Sequence, residues 1–391
     1  MTVRSLGRRG LQVAAAGTSR NLPAFASRWC ARRFVFPTDE TSDDYFGRLE
    51  EWLDESGAQT LIASHDGTIE LLRQQRARLE PRVRLALAPE PALAVAINKE
   101  RTEEVARRLG IPVPREVLVR EAADLPAALK EIGLPAVIKP CESWLANSHE
   151  RLRAAPVLVV SAAEAARAVE RVTRFGMSVL FQQLLSGRRE AVSFLYANGQ
   201  MYARFAQLAA RTHPPLGGAS VLRQSIAIPR DTGRYAEALV RDINLEGYSE
   251  VEFRRGADGV PYLMEINPRL SASVEVAVRA GVDFPFLLYQ WASGSPITQQ
   301  NGYRIGGWMR YLGGDIETTV DSLQQRGRPG ISPPVKTIMD FGVSFLKPMG
   351  YDYFDWEDPL PAVRAASGFV RTTFKRLGSH MRRVVLGKAA L

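Results

Sequence analysis

Two strand-like runs in the second half of the chain carry side chains whose types and spacing could bind a metal. Residues 249–254 and 260–267 are separated by Ala257-Asp258-Gly259. Asp-Gly is a preferred pair for a two-residue hairpin turn, because both turn positions need a positive φ. Side chains alternate along each strand, so paired residues on one face can be read from the turn. This pairing places four polar side chains on one face, with Glu252 opposite Glu265 and Glu250 opposite Asn267.

Facing carboxylates on a hairpin predict a bound cation. The β-carbons of directly opposed residues are about 4.5–5.5 Å apart, and like charges there are destabilising. Two carboxylates and an amide are hard oxygen ligands that suit Mg²⁺, with phosphates completing its shell. The alternative is a solvated acidic face, but Val251, Phe253 and Ile266 require the other face to be packed. Removing the charge of Glu265 should then relieve repulsion and slightly stabilise the metal-free protein.

The segment after the second strand is suited to bind an anion. Asn267-Pro268-Arg269 leaves the strand, and Ser271 or Ser273 can cap the helix that follows. The N-terminus of a helix attracts negative charge. The planar guanidinium of Arg269 can bind phosphate or carboxylate oxygens through two hydrogen bonds. These features predict phosphoryl-transfer chemistry, in which catalysis depends mainly on positioning and charge stabilisation.

These motifs resemble the ATP-grasp superfamily, and most closely its carboxylate–amine ligase-like members. The resemblance rests on Glu252-Phe253 followed by Met264-Glu265-Ile266-Asn267-Pro268-Arg269, and it covers roughly residues 11–294. Further segments follow in the order of the family. They are Asn98-Lys99 at the start of a helix, Ile138-Lys139-Pro140 at the end of a strand, a hinge at 181–187 and a substrate-side loop at 214–225.

The resemblance implies that ATP and Mg²⁺ bind, with Mn²⁺ as an alternative metal, and it implies a role for individual residues. Lys99 and Lys139 would hold the α- and β-phosphates, and Glu190 the ribose hydroxyls. The hinge backbone at Gln182, Gln183, Leu184 and Leu185 would meet the adenine. Glu252, Glu265 and Asn267 would hold the metal, while Arg269 and Lys139 would act on the transferred phosphoryl group.

The chain departs from the family pattern in two places. The hinge has Gln182 and Gln183 where the family often has glutamate. Residues 141–156 contain no glycine, although the family commonly has a glycine-rich loop over the phosphates there. We expect residues 141–156 to supply a lid with different hydrogen-bond donors.

The elements that must position these residues predict a fold of mixed α/β and α+β class. Strand-like runs alternate with helical segments up to about residue 90, which predicts a small parallel sheet with helices on its faces. We expect a small N-terminal parallel α/β domain (1–95), a two-lobed ATP-grasp fold (96–185 and 186–300) and a C-terminal extension (301–391). The predicted N-terminal strands are 11–16, 33–36, 60–64 and 83–88.

The net charge of +9 is concentrated at the C-terminus. Residues 361–391 carry five Arg, two Lys and no acidic residue, so the preceding 360 residues carry only +2. This distribution argues against a nucleic-acid groove through the body of the protein. Apolar residues recur at helical spacing in the same segment, from Val363 to Val384. Three alternatives are a helix packed on the enzyme, peripheral contact with a membrane, and contact with an acidic partner.

The remaining features narrow the function without identifying the substrates. Two cysteines cannot form a disulfide framework, and no run of eighteen apolar residues is present, so we expect a cytoplasmic protein. The first strand lacks a G-x-G-x-x-G fingerprint, which argues against a dehydrogenase. We expect a ligase that joins a small carboxylate to an amine. A kinase-like enzyme acting on a hydroxyl and a non-catalytic nucleotide-binding module are the alternatives.

Overall fold

The computed structural model describes residues 1–36, 44–140 and 156–373. Helices and strands alternate in the N-terminal part, and long antiparallel strands dominate the middle. The helices are α1 (Thr2–Arg8), α2 (Asp44–Ser56), α3 (Asp66–Gln74), α4 (Arg76–Leu79), α5 (Ala92–Ile97), α6 (Lys99–Arg108), α7 (Leu125–Ile132), α8 (Ala162–Thr173), α9 (Arg230–Asp242), α10 (Glu275–Ala280), α11 (Phe284–Ser293), α12 (Leu312–Gln324) and α13 (Pro334–Val343). The strands are β1 (Val13–Gly17), β2 (Cys30–Val35), β3 (Thr60–Leu61), β4 (Arg84–Leu85), β5 (Glu116–Val119), β6 (Ala136–Pro140), β7 (Val157–Val159), β8 (Val179–Gln183), β9 (Arg189–Ala197), β10 (Gln200–His213), β11 (Ala219–Ile226), β12 (Gly247–Arg255), β13 (Pro261–Asn267), β14 (Trp308–Arg310) and β15 (Met349–Tyr351).

The N-terminal strands pair in parallel, as the sequence predicts, but within the described residues they form two separate pairs. β1 pairs with β2, and β3 pairs with β4. β3 and β4 have only two residues each, too few to form a continuous ladder with the longer pair. Helices α2, α3 and α5 pack against these strands and join the main core.

A four-stranded antiparallel sheet in the order β5-β8-β6-β7 follows the N-terminal region. Its apolar side chains form a core with α7 and α8 that is separate from the main core. α6 leads into this sheet, and its first turn is capped by Asn98, whose side chain accepts a hydrogen bond from the Arg101 N–H at 3.0 Å. This cap fixes the position of Lys99, the first residue of α6.

A seven-stranded sheet in the order β13-β12-β9-β10-β11-β14-β15 forms the largest layer. α9 packs on one of its faces and α10 and α11 on the other, so β9 and β12 are buried on both sides. β14 and β15 come from the predicted C-terminal extension and complete one edge of the sheet. The structure is therefore of the predicted mixed α/β and α+β class, whereas the domain boundaries stay predictions.

The C-terminal part of the described chain returns to the first helix. Arg4 of α1 lies 3.3 Å from the Asp358 carboxylate, which also accepts hydrogen bonds from Ser27 Oγ at 2.8 Å and the Arg28 N–H at 2.9 Å. Arg8 of α1 pairs with Asp355 at 2.7 Å. These contacts join residues more than 300 positions apart and fasten the two ends of the described fold together.

A helix over residues 360–373 ends the described chain. Val363 and Val370 on its predicted apolar stripe are 62% and 50% exposed, so the packed-helix alternative does not hold for these two positions. Residues 374–391, with the rest of the stripe, lie outside the described residues. In the part of the chain that is described, no helix is long and apolar enough to cross a membrane.

Candidate functional site

The predicted register of the β12–β13 hairpin is confirmed at the site, although the predicted turn is wrong. Glu252 pairs with Glu265, and Glu250 with Asn267, whereas nearer the turn Phe253 pairs with Leu263. A β-bulge between Glu252 and Phe253 accounts for the change in register.

The turn spans Gly256 to Gly259 rather than a two-residue loop. The Gly256 N–H bonds to the Val260 carbonyl at 2.9 Å, and only Gly259 has a positive φ, at 78°. Asp258 keeps a negative φ, which a two-residue type I′ turn does not allow, and its side chain accepts a hydrogen bond from the Val260 N–H at 3.0 Å. The longer turn and the bulge offset each other, so the pairing at the carboxylates is the predicted one.

The three predicted metal ligands converge on one point. Asn267 Nδ2 lies 3.2 Å from Glu252 Oε1 and 3.3 Å from Glu265 Oε1, so the amide bridges the two carboxylates. Among residues 1–36, 44–140 and 156–373, no group of three or more His, Cys, Asp and Glu side chains is arranged for a metal, so the predicted site depends on the amide of Asn267 as its third ligand. Rotation of the Asn267 amide would present its oxygen to a metal held by the carboxylates. This donor set fits Mg²⁺.

Arg189 on β9 pairs directly with a predicted metal ligand. Its Nη2 donates to Glu252 Oε2, and its Nη1 donates to the Gly218 carbonyl. Burial raises the pKa of Glu252, Arg189 opposes this, and the nearby charges of Glu265 and Glu250 raise it further, to about 7. No sequence pattern points to Arg189, because its contact with Glu252 depends on the pairing of β9 with β12.

Lys99 and Lys139, the predicted phosphate ligands, lie within electrostatic reach of the carboxylates. Burial lowers the pKa of Lys139, and the charge of Lys99 lowers it further, whereas Glu265 opposes the shift; the result is about 8. Burial raises the pKa of Glu265, but the charges of Lys99, Arg189 and Lys139 outweigh burial and hold the pKa below its usual value. The charges of Lys99 and Lys139 thus act on Glu265 beside the other metal ligands, which is the charge arrangement that a metal–phosphate complex requires.

Arg269 is bound to the N-terminal region. Its Nη2 donates to Asp66 Oδ2 at 3.1 Å, and its Nε also donates to the Asp66 carboxylate. Asp66 is the first residue of α3, in the segment that follows the strand β3. Burial lowers the pKa of Arg269, but the hydrogen bond to Asp66 and the charge of Asp66 dominate and raise it. The contact spans 203 positions, so it was not available from local sequence patterns.

The hinge residues are held by contacts with β5, with Arg115 before it and with β12. Gln182 is buried and donates to Glu116 Oε2 at 2.9 Å. The Gln183 N–H bonds to the Arg115 carbonyl at 2.9 Å, and the Leu185 carbonyl accepts from Arg254 at 2.8 Å. The Gln183 N–H and the Leu185 carbonyl therefore already have partners within the protein. Leu184 lies between these two residues in the sequence.

Two acidic side chains, Glu103 and Glu116, lie close together near the hinge. Burial raises the pKa of Glu103, and a shared hydrogen bond with Glu116 raises it further, to about 9. Arg107 and Lys139 oppose the shift. The pair Glu103–Glu116 therefore favours one shared proton beside Lys139.

Glu190 does not lie with the other predicted ligands. It pairs with Phe253, so its side chain leaves the opposite face of the sheet from Glu252, which pairs with Ala191. Arg255 binds both oxygens of Glu190, at 3.0 and 2.9 Å, and Arg188 lies 3.0 Å away. These ion pairs hold Glu190 on that face, so the geometry gives no support for the predicted contact with ribose.

Glu250 lies next to the metal ligands but in a network of neutral groups. Its Oε2 accepts hydrogen bonds from Gln207 at 2.7 Å, Ser271 at 3.1 Å and Ser193 at 3.2 Å. Burial raises the pKa of Glu250 against these bonds. Ser271 and Ser273, predicted as helix caps, hydrogen-bond to each other at 3.1 Å and to this network instead. The network fixes β12 beside the site.

A cavity of about 200 Å³ opens against β13, α3, α5 and α6. Its lining includes Lys99, Glu265, Asn267 and Asp66. The cavity thus connects the predicted metal ligands with the first predicted phosphate ligand. The predicted substrate-side loop is confined to residues 214–218, because Ala219–Ile226 forms β11. Residues 141–155 of the predicted lid lie outside the described residues.

Comparisons with known sequences identify the superfamily to which this arrangement is related. The profile of a family described as "ATP-grasp in the biosynthetic pathway with Ter operon" matches residues 178–306. The chain is 28% identical over 215 residues to a D-alanine–D-alanine ligase of Aromatoleum aromaticum, covering 50% of this chain and 65% of that protein. The match covers less than two thirds of the length of these curated relatives.

Solved structures show the same fold at low identity. An N5-carboxyaminoimidazole ribonucleotide synthetase, solved as its ADP complex, aligns with a TM-score of 0.61 and 16% identity over 88% of this chain and 94% of that chain. An L-amino acid ligase from Bacillus licheniformis aligns with a TM-score of 0.55 and 19% identity over 75% of this chain and 70% of that chain. The predicted resemblance is confirmed: the chain is similar to ATP-grasp proteins and to carboxylate–amine ligases.

Proposed function

We propose that this ATP-grasp chain is a cytoplasmic ligase that activates a small carboxylate with ATP and transfers it to an amine. The observation that carries the proposal is the convergence of Glu252, Glu265 and Asn267 on one point, with Lys99 and Lys139 within electrostatic reach. The three oxygen ligands would hold Mg²⁺, which would neutralise the phosphates of ATP. The two lysines would bind those phosphates from the opposite side.

The proposed reaction has two steps. A carboxylate oxygen of the first substrate attacks the γ-phosphorus, the bond from that phosphorus to the β–γ bridging oxygen breaks, and ADP leaves. The amine nitrogen then attacks the carbonyl carbon of the acyl phosphate, the bond to the phosphate oxygen breaks, and phosphate departs while the nitrogen loses a proton. The chain contributes charge and position, and no covalent enzyme intermediate is required.

The residues around the site have unequal support for their proposed roles. Lys139 is buried and is the second-last residue of β6, so it is the strongest candidate for a phosphate ligand. Arg269 would act on the phosphoryl group only after it loosens its contact with Asp66. The hinge at residues 182–185 remains the proposed adenine site, with the Leu184 backbone between two groups that already have partners.

The test is phosphate release measured across pools of amino acids and small carboxylic acids. We expect one acid and one amine together to stimulate release. With the active acid labelled by ¹⁸O in its carboxylate, the label should appear in the released phosphate, because the acid oxygen bridges to phosphorus in the first step.

The same experiment separates the alternatives. A hydroxylated compound that consumes ATP without release of phosphate would identify a kinase. If the substrates support turnover and no carboxylate oxygen reaches phosphate, the ligase proposal is wrong. The Glu265→Gln variant is the control for contaminating ATPases, because it should lose the stimulated release.

A further inference from the structure

Arg189 supplies a positive charge to one of the two facing carboxylates, a charge that a bound metal would otherwise supply. Its guanidinium donates to Glu252, and its charge also acts on Glu265 and Glu250. The Arg189 side chain is 14% exposed and that of Glu252 is 8% exposed, so neither charge is neutralised by bulk water. Buried like charges need a cation within the protein.

The arginine and a divalent cation compete for the same oxygen atoms. Glu252 Oε2 accepts from Arg189, and Glu252 Oε1 lies 3.2 Å from the amide of Asn267. Coordination of Mg²⁺ requires lone pairs of these oxygens at about 2.0–2.1 Å. Coordination through both oxygens of Glu252 therefore requires Arg189 to give up its hydrogen bond to Oε2.

The second contact of Arg189 links the same side chain to the loop at residues 214–218. Its Nη1 donates to the carbonyl of Gly218, which has a φ of 80°. A β-carbon at Gly218 would lie 2.4 Å from the His213 carbonyl oxygen, so the loop turns tightly at this point. Movement of the guanidinium away from Glu252 changes a hydrogen bond of this loop.

We propose that Arg189 holds the cation position of the proposed ligase site in the metal-free protein and yields Glu252 to Mg²⁺ when the metal binds. Arg189 is then a positioning residue that couples metal binding to the loop at 214–218. The inference rests on the proposed function for its metal site, but it makes its own claim. It states that a residue of the site opposes metal binding.

The test is a titration of the full chain with Mn²⁺, in which the electron paramagnetic resonance signal of free Mn²⁺ measures how much metal is bound. We expect Arg189→Met to bind Mn²⁺ about tenfold more tightly than wild type, because loss of an ion pair worth roughly 1.4 kcal/mol changes the constant by that factor. Arg189→Lys should lie between them. The same Arg189→Met variant should melt at a lower temperature in EDTA, because it leaves Glu252 without its cation.

Arg255→Met is the matched control. Arg255 of β12 also binds a buried carboxylate, that of Glu190 on β9, but it lies on the opposite face of the sheet from Arg189. This variant should also lower the melting temperature in EDTA, yet it should leave the Mn²⁺ affinity unchanged. If Arg189 only stabilised the fold, Arg189→Met would behave like this control: its melting temperature would fall, and its Mn²⁺ affinity would not change.

Hydrogen exchange tests the coupling to the loop. Mn²⁺ should change exchange at residues 217–219 in wild type, and this change should be lost in Arg189→Met. An unchanged or weaker Mn²⁺ affinity in Arg189→Met would overturn the inference while leaving the metal site in place. Absence of Mn²⁺ binding in both wild type and Arg189→Met would overturn the metal site, and with it both proposals.

Discussion

The two faces of β9 and β12 carry two arginine–carboxylate clusters with different charge balance. On one face Arg255 binds Glu190 and Asp231, and Arg188 adds a second cation. On the other face Arg189 is the arginine in direct contact with Glu252, while Glu250 and Glu265 lie close by.

The pKa values follow this difference. A hydrogen bond from Arg255 lowers the pKa of Asp231 to about 2, so this carboxylate is deprotonated at neutral pH. The pKa of Glu252 is raised to about 7, first by burial and then, against Arg189, by the neighbouring carboxylates. The Arg255 face is balanced by direct ion pairs, which stabilise the fold. On the unbalanced Arg189 face the charges of the carboxylates are met partly at a distance by Lys99 and Lys139, and the raised pKa of Glu252 marks a candidate ligand site.

Loss of one carboxylate on the unbalanced face should have the largest effect. We expect Glu265→Gln to reduce ATP turnover by about 100-fold or more, because it removes a ligand from the metal that stabilises the transferred charge. The measurement is turnover at limiting Mg²⁺ with the active substrate pair. Asp231→Asn, on the balanced face, should keep turnover near that of wild type. Near wild-type turnover in Glu265→Gln would contradict the metal assignment.

Proton loss from Lys139 should have the next largest effect. The free protein has a Lys139 pKa of about 8, so above that pH an uncharged amine must bind a proton before it can pair with phosphate. We expect the ADP dissociation constant to rise by up to about tenfold per pH unit above pH 8, as one lost proton requires. Isothermal titration between pH 7 and pH 9.5 measures this slope. Lys139→Arg should remove it, and a slope shared by both proteins would assign the proton elsewhere.

Loss of a carboxylate from either face should change the metal-free melting temperature by a smaller amount. The pKa of Glu265 is lowered, so its charged form stabilises the fold above the unfolded pKa, and this contribution is lost as the pH falls. We therefore expect Glu265→Gln to lower the melting temperature in EDTA at pH 7, contrary to the expectation from repulsion alone. Asp231→Asn should also lower it at pH 7, and this difference from wild type should vanish as the pH falls toward 2. A higher melting temperature for Glu265→Gln would show that repulsion dominates.

The smallest expected effect is contact of the basic C-terminal helix with an anionic membrane. Val363 and Val370 are exposed on a segment whose ionisable residues are cations. We expect weak co-sedimentation of the full chain with anionic vesicles, none with neutral vesicles, and less at high salt. A Val363→Ser, Val370→Ser variant should bind less. Equal sedimentation with neutral and anionic vesicles would remove the membrane alternative.

The sequence predicts the local part of the site well. Glu252 and Glu265 face each other because strand alternation and hairpin pairing are short-range properties. Even so, the predicted register at this pair depended on two deviations that cancel, a longer turn at Gly259 and a bulge after Glu252. The prediction was correct at the carboxylates and wrong at the turn.

The sequence does not predict contacts between distant segments. Arg189 and Asp66 belong to the site through sheet pairing and through packing across 203 positions. The reversed expectation for Glu265 has the same origin, because Lys99, Lys139 and Arg189 come from three other elements. A pattern of residues shows which carboxylates face each other, but the charge around them depends on the whole fold.

The ion pairs of α1 with the C-terminal part of the chain, Arg4–Asp358 and Arg8–Asp355, have a consequence for synthesis. Arg4 and Arg8 are synthesised more than 340 residues before Asp355 and Asp358. The buried Arg4 therefore stays without Asp358 until nearly the whole described chain has been made. A nascent chain halted before residue 355 could still pack α1 against β1 and α11, but Arg4 and Arg8 would lack these carboxylate partners.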